Sequence, residues 1–311
     1  MSSLLEGKDV LTLQNFSTDE LWFLLQKCKQ LKRREGRSLR QLLRGKTLAM
    51  IFEIPSTRTR ISFEAAMKQL GGDVITLEWK NLQLSRGESL EDTAKILELY
   101  VDIVVARVTK HEYLQRLANS AEIPIINGMS ERFHPCQALS DIFSIWEKKG
   151  EIQGLKLTWV GDGNNVCSSL ILGCSRLGID MIVACPKGYE PEETVLQWGK
   201  NNAKESGSKI ELVRDPKIAA RDADIIYTDT FISTGMEKEK REREKIFLPR
   251  YQVTQHILEL GKKDVIFMHC LPAHRGEEVT HEVLDGPSSI VWDQAENRLH
   301  TQKTLLSEIL G

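Results

Sequence analysis

Ser56-Thr57-Arg58-Thr59-Arg60 sets three hydroxyls and two guanidinium groups in five consecutive positions. The segment follows the apolar run 47–53 and Pro55, and precedes helical apolar spacing at Ile61, Phe63, Ala66, Met67 and Leu70. A helix N-terminus offers unpaired N–H groups and a partial positive charge, which together favour a phosphate. Ser56, Thr57 and Thr59 add hydroxyl donors, and Arg58 adds a guanidinium that grips two oxygens at once. The plainer alternative is a Ser/Thr helix cap flanked by two surface arginines. The position after a buried strand, where sheet proteins place ligands, favours the anion site.

His134-Pro135-Cys136-Gln137 follows the run 123–128 and opens another helical stretch. His134 can donate to a carbonyl oxygen, and the Gln137 amide both donates and accepts, which suits a group carrying one oxygen and one NH2. A satisfied structural histidine is the competing reading. In His269-Cys270-Leu271-Pro272 the neighbouring thiol and imidazole raise covalent cysteine chemistry. Adjacent strand residues face opposite sides, however, and catalytic thiol–imidazole pairs usually meet from separate parts of the chain. A structural or substrate-lining Cys270 is therefore expected.

Gly161-Asp162-Gly163-Asn164-Asn165 lies between a strand and a helix and invites a dinucleotide-binding reading, which fails twice. The third glycine would fall at Val166, and Cys185-Pro186-Lys187 stands where a ribose-binding acid belongs. The amide-rich loop suits a zwitterion better. Asp229, then Ser233, Thr234 and Gly235, follow a strand in the same half: an acceptor for an ammonium and donors for a carboxylate. By itself Asp229 also reads as a turn residue.

These loops need a scaffold. Apolar strand-like runs at 47–53, 73–79, 102–107 and 123–128 alternate with helical spacing at 18–32, 61–70, 89–100 and 137–149. The second half repeats the style, with runs at 155–161, 181–185, 210–213, 223–229 and 264–270 and helices at 166–178 and 192–205. Such alternation predicts an α/β chain with two doubly wound parallel-sheet domains, divided as residues 1–148 and 149–311. The charge-dense stretch 236–247 has mixed signs at helical spacing and reads as a solvated helix.

The chain of 311 residues is 41% hydrophobic and 28% charged, ordinary values for a globular protein. Its length suits two domains of about 150 residues. A net charge of -2 provides no global field for nucleic acid. No window approaches the roughly 20 apolar residues that span a bilayer. Charges at Glu6, Lys8 and Asp9 interrupt any signal-peptide run, so a cytoplasmic address is expected. Cys28, Cys136, Cys167, Cys174, Cys185 and Cys270 show no metal-ligand spacing and no C-x-x-C, and no metal site is expected.

S-T-R-T-R, H-P-C-Q and H-C-L-P, in this order and at these separations, resemble the ornithine-specific branch of the aspartate/ornithine carbamoyltransferase family over nearly the whole chain. The resemblance implies a carbamoyl-phosphate domain, an amino-acid domain, and a last helix near 302–310 that returns to the first domain. It assigns the carbamoyl-phosphate site to Ser56, Thr57, Arg58, Thr59, Gln83, Arg107, His134, Pro135, Cys136 and Gln137, with Cys270, Leu271 and Arg298 on the carbamoyl side. L-Ornithine falls to Asn165, Asp229, Ser233 and Thr234, and catalysis to Arg107, His134, Asp229 and Cys270. No cofactor is implied, and the family's trimers imply a homotrimer or a multiple of it.

Two positions depart from the family pattern: Thr234 stands where the loop usually reads S-M-G, and Ile54 where lysine is frequent. Sister enzymes acting on aspartate, putrescine or N-acetylornithine are the nearest rivals. Aspartate enzymes read H-P-L-P-R at the third motif and need cations for a second carboxylate. Putrescine has no carboxylate for the 229–235 loop. A non-catalytic relative should have lost part of the set Arg58, Arg107, His134 and Gln137, and all four are present.

Overall fold

The computed structural model describes residues 3–33, 39–232 and 237–311. They form two compact units, one of Met1–Phe143 with Asn297–Gly311 and the other of Ser144–Glu296.

The first unit begins with helix α1 (Thr18–Lys32), whose Ser17–Glu20 capping box satisfies the first free N–H groups. Strands β1 (Thr47–Phe52), β2 (Asp73–Glu78), β3 (Ile103–Arg107) and β4 (Ile125–Met129) form a four-stranded sheet in the order β2-β1-β3-β4. Every pairing is parallel. Central β1 and β3 are apolar without alternation because both faces are covered. The crossovers are α2 (Thr57–Leu70), α3 (Leu90–Glu98) and α4 (His111–Ser120), and α5 (Pro135–Lys149) follows β4. Leu90 and Ala94 of α3 and Leu114 and Leu117 of α4 pack with Ala49, Ile51, Val104 and Ala106 of the sheet. The sequence reading passes over α4, a helix of only ten residues with three buried positions, His111, Leu114 and Leu117.

The second unit holds β5 (Lys156–Val160), β6 (Asp180–Ala184), β7 (Ile210–Val213), β8 (Ile225–Thr228) and β9 (Ile266–His269). They make a parallel sheet in the order β7-β6-β5-β8-β9. Helices α6 (Asn165–Leu177), α7 (Glu193–Ser206), α8 (Pro216–Ala220), α9 (Lys240–Phe247), α10 (Gln255–Leu258) and α11 (His281–Leu284) accompany it. The last helix, α12, runs from Val291 to Leu310.

In the first sheet β2 lies on one side of β1 and β3 on the other; in the second, β6 and β8 flank β5 likewise. Loops at such switch points diverge and leave a crevice at the strands' carboxyl ends. Those ends are the segments 53–60 and 107, and 161–165 and 229.

Two expectations need correction. The last helix begins eleven residues before the expected 302, at Val291. Its buried positions include Gln294, Asn297, Arg298, Thr301, Gln302 and Thr304, so polar side chains occupy the inward stripe and hide the apolar period. The charged stretch is not simply solvated: Arg243 is only 4% exposed and Phe247 is fully buried. Met236 lies outside the described residues. Among those described, no helix is long and apolar enough to cross a membrane.

Candidate active site

Ser56 caps α2 in extended conformation, its Oγ accepting from Thr59 N at 3.2 Å. The parallel register sets Phe52 beside Arg107, and Glu53 N donates to the Arg107 carbonyl at 2.9 Å. Glu53 in turn accepts from Thr109 N and Oγ1 at 2.6 and 2.8 Å, fixing the loop after β3. Side chains from four separate elements converge on this end of the sheet. Arg298 of α12, 2% exposed, donates through Nη1 to Gln137 Oε1 and through Nη2 to Thr59 Oγ1 at 3.4 Å. Gln137 Nε2 reaches the buried Asp141 at 2.8 Å. Asp141, Gln137, Arg298 and Thr59 thus form one chain of hydrogen bonds.

His134 is 6% exposed, and its pKa lies well below the ordinary imidazole value, first through burial and then through the charges of Arg298, Arg107 and Arg58. The ring is neutral at physiological pH, a hydrogen-bond donor amid three cations. The Cys136 thiol is buried, bonded to the Asn127 carbonyl at 3.4 Å, and pushed up to about 12 by burial, so it is no nucleophile. Gln83 is exposed on the short turn Gln83–Arg86.

In the second unit Asp229, 8% exposed, is the hub. Its Oδ2 accepts from Asn164 Nδ2 at 2.7 Å, and its Oδ1 accepts from Thr230 N at 2.8 Å and from the Cys270 thiol at 2.9 Å. Asn164 caps α6, its Oδ1 accepting from Val166 N and Cys167 N at 3.0 and 3.1 Å. The amide that grips Asp229 belongs to Asn164, a residue the sequence motifs do not assign; Asn165, expected at the amino-acid headgroup, is the first residue of the helix. The N-cap preference for asparagine was the available signal. Gly163 has no substitute here, since a Cβ would lie 2.2 Å from Pro191 N. Ser233 and Thr234 lie outside the described residues.

His269 cannot activate Cys270. Its Nδ1 accepts from Leu271 N at 2.9 Å, which leaves the proton on Nε2 for Glu278 Oε1 at 3.1 Å. Burial alone would raise the Glu278 carboxyl, but the His269 bond and the His274 N–H bring it below its usual value. Leu271 is held at φ +56 in the left-handed region, with its N–H tied to that imidazole. The chain after β6 carries no acidic ribose ligand: the Cys185 and Pro186 carbonyls accept from Arg214 Nη1, each at 3.1 Å.

Among the described residues, Asp229, His269 and Cys270 bring three possible metal-ligand atoms within 4.8 Å of one another, as do His274, Glu277 and Glu278. In the first group every residue is already engaged: Cys270 with Asp229, Asp229 also with Asn164, and His269 through both nitrogens.

Arg243 was invisible in the sequence as part of this centre. Its guanidinium donates to the Phe231 carbonyl and to Asp162, and lies over the rings of Tyr189 and Phe247 at 4.9 and 5.4 Å. Burial nevertheless outweighs the Arg243 charge and raises the Asp162 carboxyl to about 6. Removing one partner of a buried pair strands the other charge. Arg243→Met is expected to destabilise the protein by about 3–5 kcal/mol, with Asp162→Asn added to it recovering part of the loss. Calorimetric melting of the single and double variants checks this, and equal melting temperatures for wild type and Arg243→Met would sink it.

Two family models match the chain. The aspartate/ornithine carbamoyltransferase carbamoyl-P binding domain covers residues 8–147, and the Asp/Orn binding domain of the same family covers residues 153–309. The ornithine carbamoyltransferase of Pyrococcus horikoshii is 53% identical over 309 residues, 99% of this chain and 97% of that protein. An anabolic ornithine carbamoyltransferase of Pyrococcus furiosus is also 53% identical, over 99% of this chain and 98% of its own. The solved ornithine carbamoyltransferase of Pyrococcus furiosus superposes with a TM-score of 0.96 at 53% identity, covering 100% of this chain and 99% of that one. The anabolic enzyme of Campylobacter jejuni gives 0.90 at 39% identity, covering 96% and 97%.

Proposed function

The chain belongs to the aspartate/ornithine carbamoyltransferase family, and on that premise we propose that it transfers the carbamoyl group of carbamoyl phosphate to the δ-amine of L-ornithine. The products are L-citrulline and phosphate, and the reaction serves arginine biosynthesis. The observation that carries this reading is the neutral, buried His134 among Arg58, Arg107 and Arg298, beside a helix N-terminus capped by Ser56.

In this reading the first unit, with residues 1–148 as its main domain, binds carbamoyl phosphate. Ser56, Thr57, Arg58 and Thr59 hold the phosphate where the α2 N-terminus and the guanidinium favour its charge. Arg107, His134 and Thr59 stabilise the carbonyl oxygen as negative charge develops on it. Pro135, Cys136 and Gln137 wall the carbamoyl group, and Arg298 sets the orientation of Gln137 and Thr59. In the second unit Asp229 takes the ornithine α-ammonium, with Asn165, Ser233 and Thr234 at the headgroup. Cys270 donates to Asp229 and, with Leu271, orients it. The C–N bond forms as the C–O bond to phosphate breaks; phosphate leaves with the electron pair and the amine sheds a proton. Both reacting groups arrive with the substrates, so the transfer needs no cofactor.

A homotrimer, or a multiple of it, working in the cytoplasm completes the proposal. Ile61 and Ile75, large apolar side chains exposed in the first unit, support the assembly. Gln83, also exposed, suits a role across a subunit boundary. Light scattering should give about three times 35.4 kDa, or a multiple.

The deciding experiment offers carbamoyl phosphate with ornithine, putrescine, N-acetylornithine or aspartate, and assays the ureido product. Turnover with ornithine alone is expected. Turnover only with another amine overturns the assignment of Asp229, and none at all overturns the enzyme.

The pH profile is a second expectation. The δ-amine resembles a lysine amine with pKa near 10.4, so its reactive neutral form grows about tenfold per pH unit through the neutral range. The depressed pKa keeps His134 neutral through the neutral range, so it adds no limb of its own there. Asp162, with its pKa near 6, gains a proton below that pH and releases Arg243. A plot of log kcat/KM for ornithine against pH should rise with slope about one above pH 6.5 and steepen below pH 6. A flat profile would count against attack by the neutral amine.

A further inference from the structure

We propose that His111 is a positioning residue for carbamoyl transfer, its Nδ1 orienting the Ser130 hydroxyl that closes the 130–133 turn and, through that turn, fixing the His134 ring. The inference rests on the reading above, in which His134 stabilises the carbamoyl oxygen.

His111 opens α4, is 4% exposed, and lies outside every motif that the chemistry above uses. Ser130 and Asn127 are fully buried beside it. The turn from Ser130 to Phe133 is closed by Ser130 N to the Phe133 carbonyl at 3.0 Å and by Phe133 N to Ser130 Oγ at 3.3 Å. That carbonyl also accepts from Asn127 Nδ2 at 3.2 Å, and the same amide reaches the Leu11 carbonyl at 2.9 Å. On the far side, the His134 carbonyl accepts from Gln137 N and Ala138 N at 3.1 and 3.2 Å, which ties it to the first turn of α5. The backbone that presents His134 is therefore bonded both before and after it.

One proton decides how the turn is held. Ser130 Oγ accepts from Phe133 N, so its own hydrogen must go elsewhere. His111 Nδ1 lies 3.0 Å away, nearer than the Phe133 carbonyl, which is at 3.5 Å and already has two donors. The short distance makes His111 Nδ1 the acceptor and puts its ring proton on Nε2. The ring also stands edge-on to Phe133, with centroids 5.0 Å apart and planes at 73°. Without an acceptor there, the buried hydroxyl loses this hydrogen bond and the turn loses the group that sets its orientation.

The variants separate the acceptor from the bulk. His111→Leu keeps the volume without the acceptor, His111→Asn returns an amide oxygen near the Nδ1 position, and His111→Gln carries its amide one bond further. His111→Leu should lower kcat/KM for carbamoyl phosphate about 10- to 100-fold, the range for a stranded buried hydroxyl, with the ornithine KM unchanged at saturating carbamoyl phosphate. His111→Asn should recover to within about threefold of wild type, and His111→Gln should not. Ser130→Ala should reproduce the His111→Leu loss, and the double variant should be no worse than the poorer single.

Equal behaviour of the Asn and Gln variants would overturn the inference. So would multiplied losses in the double variant, or an ornithine KM that moves in step with that for carbamoyl phosphate. Calorimetric titration of wild type with carbamoyl phosphate keeps the two readings apart. No binding there removes the underlying function, while tight binding with an unaffected His111→Leu variant removes only the role of His111.

Discussion

Arg298→Gln is expected to lower kcat/KM for carbamoyl phosphate by about 10²- to 10³-fold, the scale for losing a preorganised donor in a water-poor site. Arg298 is buried, and its guanidinium joins Gln137 Oε1 to Thr59 Oγ1. Beyond Gln137 the chain ends on the buried Asp141. Glutamine is shorter and neutral, so both contacts go and Gln137 Oε1 loses its charged donor. A second effect is independent of the first. The Arg298 charge is the largest of the three that hold the His134 pKa down, after burial itself. Without it that pKa rises, and the variant should lose more activity on the acid side than wild type does, as His134 protonates more readily. The sign follows from the direction of the shift: removing a cation makes protonation easier. Rates measured across pH 5.5–9 with saturating ornithine test both effects. Kinetics within threefold of wild type, with an unmoved acid side, would remove Arg298 from the site.

Asp229→Asn should act on the other substrate. The carboxylate has no proton to give and uses both oxygens to accept, from Asn164, from Thr230 N and from the Cys270 thiol. An asparagine keeps the shape but turns one acceptor into an NH2 donor that meets another donor, Asn164 Nδ2 or the thiol. It also removes the negative charge that, in the proposed function, meets the α-ammonium. The expected result is a rise in ornithine KM and a fall in kcat/KM for ornithine of about 10²- to 10³-fold, since a stranded buried polar group and a lost charge-assisted bond add. Binding of carbamoyl phosphate should not change. Parallel titrations of the variant with the two substrates check this; a loss shared equally by both would mean that Asp229 maintains the fold and does not bind ornithine.

Much of this protein was legible before any coordinates. Ser56 opens a helix where the hydroxyl cluster after a buried strand predicts a helix start, and it caps that helix as the plainer alternative has it; α1 spans the expected Thr18–Lys32. Those features depend on interactions within one turn of chain, so residue type and spacing suffice. The failure of the dinucleotide fingerprint was equally readable, since it concerns the presence or absence of particular residues in one loop. The expected separation of His269 and Cys270 does not come from opposed strand faces, since β9 ends at His269 and their ligand atoms lie within 4.8 Å of one another; the separate partners Glu278 and Asp229 keep imidazole and thiol apart.

What stayed hidden has a common cause. α12 escaped over its first half because its inward face carries Gln294, Asn297 and Arg298, and a polar face has no apolar period. Arg243 reads as one more charge in 236–247; only tertiary packing brings Asp162, Tyr189 and the Phe231 carbonyl around it. That Asn164 meets Asp229 depends on which side of a helix start an amide occupies. His111 gave no signal at all, since its partner Ser130 lies across a strand–loop boundary on another element. The sequence by itself determined the alternating strands and helices, the local caps and the residue types able to meet a phosphate, a carbamoyl group and an amino acid. The tertiary structure alone decided which of these side chains meet, how deeply His134 is buried among three arginines, and which protons are committed. Those properties are set by long-range contacts and desolvation, which no local pattern encodes.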